Sequence, residues 1–448
     1  MVDMKDKTFH MISLGCAKNT VDSASMAQLL AETGYRSTDN QKQARVLIVN
    51  TCGFIGPAKD ESLRVLGELA EQKRPGQFLI AAGCLTQRYG MEVARQVPGI
   101  DGILGTRRWM DIVDVVEELR QGKHPEPLYH LPEVATVGSD EHGVLRAAIQ
   151  GASAYVKIAD GCRRPCAFCA IPLIKGTSVS HPVEAVLAEA RQLQAMGMRE
   201  LILIAQDTTD YGHDLGIKDG LAKLLEQMVV AVPEVDWIRV MYAYPGYVTD
   251  RLIEVMASHP QILPYLDMPL QHAHPATLQR MRRPANIDWV HSTLKKMRTA
   301  LPELALRTTF IVGYPGETDE EFQALLDFVQ EIRFDRVGTF QFSFEPGTAS
   351  EPLGDPVPSE VKEERYDRLM TLQQGISLER NQSFVGQTLD VLTEGRSEGI
   401  VLGRSYRDAP EIDGLVIVEG EAEIGELLPV RINGAMAYDL TGVFVPKN

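Results

Sequence analysis

Cysteine is scarce in this chain: there are six in 448 residues. That is far too few for a scaffold stapled by disulfides. A chain of this length also buries enough surface to fold without them. Long apolar runs are missing as well, and none approaches the ~18 residues that cross a bilayer. The opening stretch MVDMKDKTFHMISLG has no apolar core flanked by a cleavage site, so no secretory signal is read there. Positive charge is short, with 45 Lys and Arg against 61 Asp and Glu and a formal net charge of -16. A surface given over to nucleic acid leans basic. This balance favours a small substrate, a basic protein partner, or a local basic patch that the total hides. What remains is an ordinary soluble balance, 44% hydrophobic and 24% charged, with a length that suggests about three domains. A cytoplasmic, reducing compartment is expected. Clustered thiols there mean metal or catalysis more often than disulfides.

The first 120 residues alternate strand and helix. His10–Gly15, Val46–Asn50 and Phe78–Ala82 are apolar strands. Helices follow each: one capped by Asn19–Thr20 and ended by Gly34, one over about Ala58–Lys73, and one running through Val97. Strands joined by helices of this length imply a parallel α/β sheet. Gly122–Gly151 holds three prolines and reads as a linker ending in a short strand or hairpin. From Ala154 the alternation resumes at wider spacing. Its candidate strands are Ala154–Ala159, Leu201–Ala205, Trp237–Tyr242, Tyr265–Met268, Leu306–Val312 and Val337–Phe342. Six βα units suit an open or partial barrel, with its site at the strand carboxyl ends. Ser359 caps a long polar helix to about Gln382. Beyond it, short alternating runs (TLDVLTEG, GIVLGRSY, GLVIVEG, LPVRING) separated by Gly and Asp-Gly turns suggest a small antiparallel barrel. The expected fold is α/β, with an N-terminal parallel sheet domain at 1–125, a linker at 126–150, a partial (βα)6 barrel at 151–380 and a small β-barrel at 381–448.

The sharpest local signal is Cys162-Arg163-Arg164-Pro165-Cys166-Ala167-Phe168-Cys169, directly after the first barrel strand. Three thiolates in eight residues wrap one face of an iron–sulfur cluster, one fewer than a closed cluster takes. A closed zinc site is the bland alternative, but it wants a fourth nearby Cys or His. Cys16, Cys52 and Cys84 are spaced 36 and 32 residues apart, yet each falls within about two residues of the end of an apolar strand: ISLGC, VNTC, AAGC. In a parallel sheet those ends lie along one edge, so the three thiols converge there. Core filler is the alternative reading for buried cysteine. Gly15, Gly53 and Gly83 beside them let the backbone come close to a bulky ligand.

The C-x3-C-x2-C run resembles the signature of the radical S-adenosylmethionine superfamily, and the two triads with a small C-terminal β domain resemble the methylthiotransferases over essentially the whole chain. ISLGCAKNTVDS, AQDTTDYGHDL and MPLQHAHPATLQRMRRP resemble the branch that modifies an aspartate in the small-subunit ribosomal protein numbered twelve, rather than the transfer-RNA branches. The resemblance implies two 4Fe-4S clusters. One, on Cys162, Cys166 and Cys169, cleaves S-adenosylmethionine to a 5′-deoxyadenosyl radical. The other, on Cys16, Cys52 and Cys84, supplies sulfur. It implies two S-adenosylmethionine per turnover, one to methylate that sulfur and one to generate the radical that takes hydrogen from the aspartate β-carbon. It further implies a TRAM-like C-terminal barrel for substrate recognition. A ribosomal protein or the ribosome is expected as partner, a flavodoxin or ferredoxin as electron donor, no membrane, and a monomer.

Further residues follow from the same resemblance. Gln206 and Asp207, ending the second barrel strand, are placed at the cofactor's amino group, and Phe168 on its adenine. Gly313, Pro315, Gly316 and Glu317 (IVGYPGE) resemble the adenosine-binding turn; an ordinary strand-to-helix turn is the alternative. Gln271, His272 and His274 line the pocket or serve the core equally well. Thr177-Ser178-Val179-Ser180-His181 departs from the more basic stretch the family leads one to expect. From Asn381 onward, Arg396, Arg404, Arg407, Arg431 and Lys447 stand against eleven acidic residues. An acidic barrel repels phosphate and favours a basic protein partner; a merely solvated surface is the bland reading.

Overall fold

In the computed structural model, described for residues 7–122, 126–132 and 143–445, the N-terminal sheet is parallel throughout. Its six strands run in the order Arg36–Ser37, Thr8–Ser13, Val46–Thr51, Phe78–Gly83, Gly102–Gly105 and Leu128–His130. Val46–Thr51 is buried along its whole length, as the apolar run Val46–Val49 of a strand covered on both faces requires. The three strands that precede cysteines are neighbours in this sheet, so Cys16, Cys52 and Cys84 share one edge. Two short strands escape the sequence pattern. Gly102–Gly105 has only two apolar residues between its glycines. Leu128–His130 lies in the expected linker yet completes the sheet. Part of that linker, and Lys447, lie outside the described residues.

The first helix corrects the expected cap. It spans Ala17–Glu32 with Cys16 at its N-cap, and no side chain caps it. Asn19 is engaged elsewhere, as described below. At the other end Gly34, at φ +89°, closes the helix as expected, while Tyr35 N–H donates to Leu30 O.

The six barrel strands fall within two residues of their expected bounds: Ser153–Lys157, Glu200–Ile204, Trp237–Val240, Tyr265–Asp267, Ala305–Val312 and Arg336–Gln341. They form two parallel arcs, joined by a bridge between Ile238 and Ile262 and by Ala243 N–H donating to Asp267 O. Ala147–Gln150 adds an antiparallel edge strand, the hairpin anticipated at the linker's end. One large apolar core fills the space between these arcs and their helices.

Helix Ser359–Gln382 leads into a closed five-stranded barrel of Thr388–Ser397, Ile400–Ser405, Val416–Glu419, Leu427–Ala435 and Leu440–Phe444. It is not wholly antiparallel: Val416–Glu419 and Leu440–Phe444 pair in parallel, which closes the ring. Charge docks this barrel on the central one. Buried Arg404 meets Glu200 at 2.6 Å, Arg336 meets Asp408 at 2.7 Å and Arg407 meets Asp335 at 3.1 Å. Burial alone would raise the Glu200 carboxyl, but Arg404 and Arg239 hold it down at about 2. No helix among the described residues is long and apolar enough to cross a membrane.

Candidate functional site

The three N-terminal cysteines come together as their strand ends require. Cys16 is exposed, Cys52 half-buried and Cys84 buried, and none is in a disulfide. Gly15 sits at φ +91°, and a Cβ there would lie 2.7 Å from Cys52 Cβ, so only glycine lets the Cys16 loop close on Cys52. Asn19 ties the group together. Its amide donates to Leu14 O at 2.9 Å and Thr51 O at 3.1 Å, and its Oδ1 lies 3.6 Å from Cys84 Sγ. Asn50 in turn donates to Asn19 O. Burial pushes the Cys84 thiol up to about 12, a shift that Lys175 opposes.

The second trio wraps a loop at the end of Ser153–Lys157. Cys169 N–H donates to Cys166 O, Cys162 N–H to Gly176 O, and Ala167 N–H to Met281 O. Polar groups gather on the sulfurs: Arg164 N–H donates to Cys162 at 3.4 Å and Arg283 to Cys166 at 3.5 Å, and the Tyr244 hydroxyl shares a hydrogen bond with Cys166 at 3.6 Å. Burial raises Cys162 to about 11 and Cys169 to about 12. Free thiols in such a place are strained toward neutrality. Coordination to iron removes the proton and the penalty together.

The segments that carry the two trios touch. Cys84 packs against Ala170 and Ile174, the residues just past Cys169. Arg107 fastens the same segment by donating to Ile174 O at 2.8 Å. Among the described residues no three His, Cys, Asp or Glu side chains are drawn in around a single ion. The thiols sit on loops with glycine at their approach. The donor set and the cradle therefore fit a body with several irons.

The remaining sequence candidates divide. Gln206 Oε1 is buried without a partner, a free acceptor beside the second trio's loop. Asp207 is occupied: Arg164 donates to it at 2.6 Å and Thr209 at 2.5 Å. Phe168 packs on the apolar group of Met281, Ile311, Tyr314 and Phe342. Glu317 closes its own turn by accepting from the N–H groups of Gly313 and Tyr314. Pro315 and Gly316 form the rest of that turn, with Gly316 at φ +79°. His272 is buried 3.6 Å from Glu317, and its Nδ1 accepts from His274 N–H. Gln271 bridges to Phe310 with a backbone φ of +73°. The departing loop is structural: Val179 and Ser180 pair with Asp160 and Ala159, and His181 is buried.

The comparisons with known proteins agree along the chain. Residues 8–105 match the pattern described as "Uncharacterized protein family UPF0004", residues 156–329 the Radical SAM superfamily, and residues 385–445 the TRAM domain. The ribosomal protein uS12 methylthiotransferase RimO of Chloroflexus aurantiacus is 50% identical over 97% of this chain and 99% of its own. That of Symbiobacterium thermophilum is 46% identical over 96% and 90%, and that of Synechocystis sp. 45% over 96% and 96%. The chain belongs to the RimO methylthiotransferase family. It is a radical S-adenosylmethionine enzyme. Among solved structures, the radical S-adenosylmethionine methyltransferase TsrM of Kitasatospora setae shares the fold, with TM-score 0.57 and 12% identity over 88% of this chain and 80% of its own.

Several residues of this RimO-family site were not foreseen from sequence. Arg163 and Arg164, inside the cysteine run, were assigned no role. Yet Arg163 meets Asp210 at 2.6 Å, and Arg164 stacks 3.6 Å over the Tyr247 ring, so together they lash the loop to the barrel. Asp22, Arg146, Lys157, Asp160 and Lys175 form a buried ionic network behind both trios. Its one advance signal was the acid and lysine spacing of KIAD at the strand end.

Proposed function

We propose that this chain inserts a methylthio group at the β-carbon of an aspartate in ribosomal protein uS12. One cluster would be held by Cys162, Cys166 and Cys169 and a second by Cys16, Cys52 and Cys84. Such clusters supply, at one site, the electron that cleaves S-adenosylmethionine to a carbon radical and, at the other, the sulfur to be methylated and transferred. The β-carbon hydrogen is too weakly acidic for a side-chain base, so general acid–base work does not reach this bond.

The observation that supports the reading is the packing of Cys84 on Ala170, the residue after Cys169, which brings the segments of the two trios into contact. The chain's own residues then have simple tasks. Gln206 offers its unpaired Oε1 to the cofactor's ammonium. Phe168 offers a ring face to the adenine, beside the turn Gly313–Glu317. Asp207 acts one step back, holding Arg164 and with it the Cys162 loop.

A basic protein as acceptor is supported by the C-terminal barrel. Arg404 and Arg407 are spent inside the docking interface, while Glu398, Glu419, Glu421, Glu423 and Glu426 are exposed. Such a face attracts a cationic ribosomal protein and repels the phosphates of transfer RNA. The electron donor is a reduced flavodoxin or ferredoxin, in a reducing cytoplasm.

Incubating anaerobically reconstituted enzyme with uS12, small ribosomal subunits and transfer RNA, then weighing each product, tests the reading. A methylthio gain on an aspartate of uS12 is expected. A gain on RNA alone would overturn it in favour of the transfer-RNA reaction.

A further inference from the structure

We propose that Lys18 is the anion subsite of the reaction chamber, receiving the side-chain carboxylate of the residue to be modified; the inference rests on an aspartate acceptor. Lys18 is the second residue of helix Ala17–Glu32, just past Cys16. From there it reaches across to the central barrel, where its ammonium lies 3.2 Å from the centroid of the Tyr242 ring. Tyr242 follows strand Trp237–Val240, so Lys18 stands where the mouth of the barrel meets the thiol-bearing edge of the N-terminal sheet. The side chain is half-buried.

The charge there has no carboxylate partner; the strongest anionic influence on it is the Cys16 sulfur, two residues before it. Among the described residues Lys18 Nζ has no carboxylate within 4 Å and no hydrogen bond. The nearby cations differ: Lys157, Lys175 and Arg146 each share two carboxylates, Asp22 and Asp160. Asp267, the acid nearest Lys18 on the barrel side, is already taken by Arg307 at 2.9 Å and by Tyr242 N–H at 3.2 Å. The uncapped, positive end of the helix adds to the field. A ring face recovers only part of the hydration that a half-buried ammonium gives up. A carboxylate arriving from outside completes the pair.

The chemistry of the acceptor makes that pair useful. In an aspartate the β-carbon is bonded directly to the carboxylate carbon. Pinning the carboxylate on Lys18 holds the reacting carbon one bond away, between the two trios. A nucleobase offers no such anion, so the same contact selects protein over RNA.

The test is equilibrium binding to the anaerobically reconstituted holoenzyme. The probes are a labelled peptide spanning the uS12 acceptor loop and the same peptide with Asp→Asn at the acceptor. Wild type is expected to favour the aspartate peptide by about 10- to 100-fold, the worth of one charge-assisted contact. Lys18→Met should bind both peptides alike at the weaker level, and Lys18→Arg should keep most of the preference. Equal binding by wild type, or a preference that survives Lys18→Met, overturns the subsite. Product mass separates the layers: a methylthio gain on uS12 alongside either result sinks the subsite alone, whereas no gain sinks the aspartate reading with it.

Discussion

Lys157 Nζ lies 2.5 Å from Asp22 Oδ1, joining a strand of the central barrel to the helix that starts at Cys16. Both side chains are buried, and Asp160, Lys175 and Arg146 complete the network. Three cations share two acids. Lys175 closes the short helix after Cys169 and Asp22 rides the helix after Cys16, so the network fixes the separation of the trios. Lys157 itself is held at about 8 by burial, against the pull of Asp160 and Asp22.

Removing Asp22 should therefore loosen the whole chamber. Asp22→Ala leaves three buried cations on one acid and is expected to cost about 3–5 kcal/mol. Adding Lys157→Met restores the charge balance, so the double variant should be more stable than Asp22→Ala alone. Denaturant melting of the three proteins decides it; strictly additive losses would argue against a shared network.

Asn19 is the clamp of the N-terminal trio. Asn19→Ala removes the donors to Leu14 O and Thr51 O, on the loops beside Cys16 and Cys52. Bound iron should fall toward half of the wild-type value while the cluster on Cys162, Cys166 and Cys169 remains. Full iron in this variant would show that the strands alone hold the trio.

His181 makes stability depend on pH. Burial first, and Arg146 beside it, keep its ring neutral down to about 3. The unfolded ring takes a proton below about 6.5. The folded state therefore keeps its full advantage above pH 6.5 and loses up to about 1.4 kcal/mol per unit as pH falls toward 3. Unfolding free energies at pH 7.5 and 5.5 should differ more for wild type than for His181→Gln. An equal difference would mean that His181 is solvated in the folded chain.

The barrel is docked by charge, so Arg404→Met should release it. Glu200 then keeps only Arg239 at 2.7 Å and Ser153, and the loss is expected on the order of 3 kcal/mol. Limited proteolysis near Phe384–Gln387 should speed up, and uS12 modification should slow with little change in iron content. Unchanged proteolysis would mean that apolar packing holds the barrel.

Much of this was legible in the residues. Each thiol of the first trio follows an apolar strand, and parallel strands put their ends on one edge, so Cys16, Cys52 and Cys84 announced their meeting. The Cys162 run is local and needs no fold to be seen. What stayed hidden depends on partners distant in sequence. Asn19 looked like a helix cap because a clamp and a cap use the same amide. Asp22, Arg146, Lys157 and Lys175 gave no sign in the sequence, because charge is normally solvated and only their mutual pairing makes burial tolerable. Arg404 and Arg407 were counted with the outer face of the barrel for the same reason. Strand Leu440–Phe444 escaped because half its pairing is parallel to a strand that turn signals do not connect to it.

Iron and acid-labile sulfide, measured anaerobically after reconstitution of wild type, Cys52→Ala and Cys166→Ala, test the central claim of two independent clusters most directly. Each single variant should retain about half of both elements, and the double variant almost none. Complete loss in either single variant, or undiminished iron in either, would contradict two separate three-thiol sites.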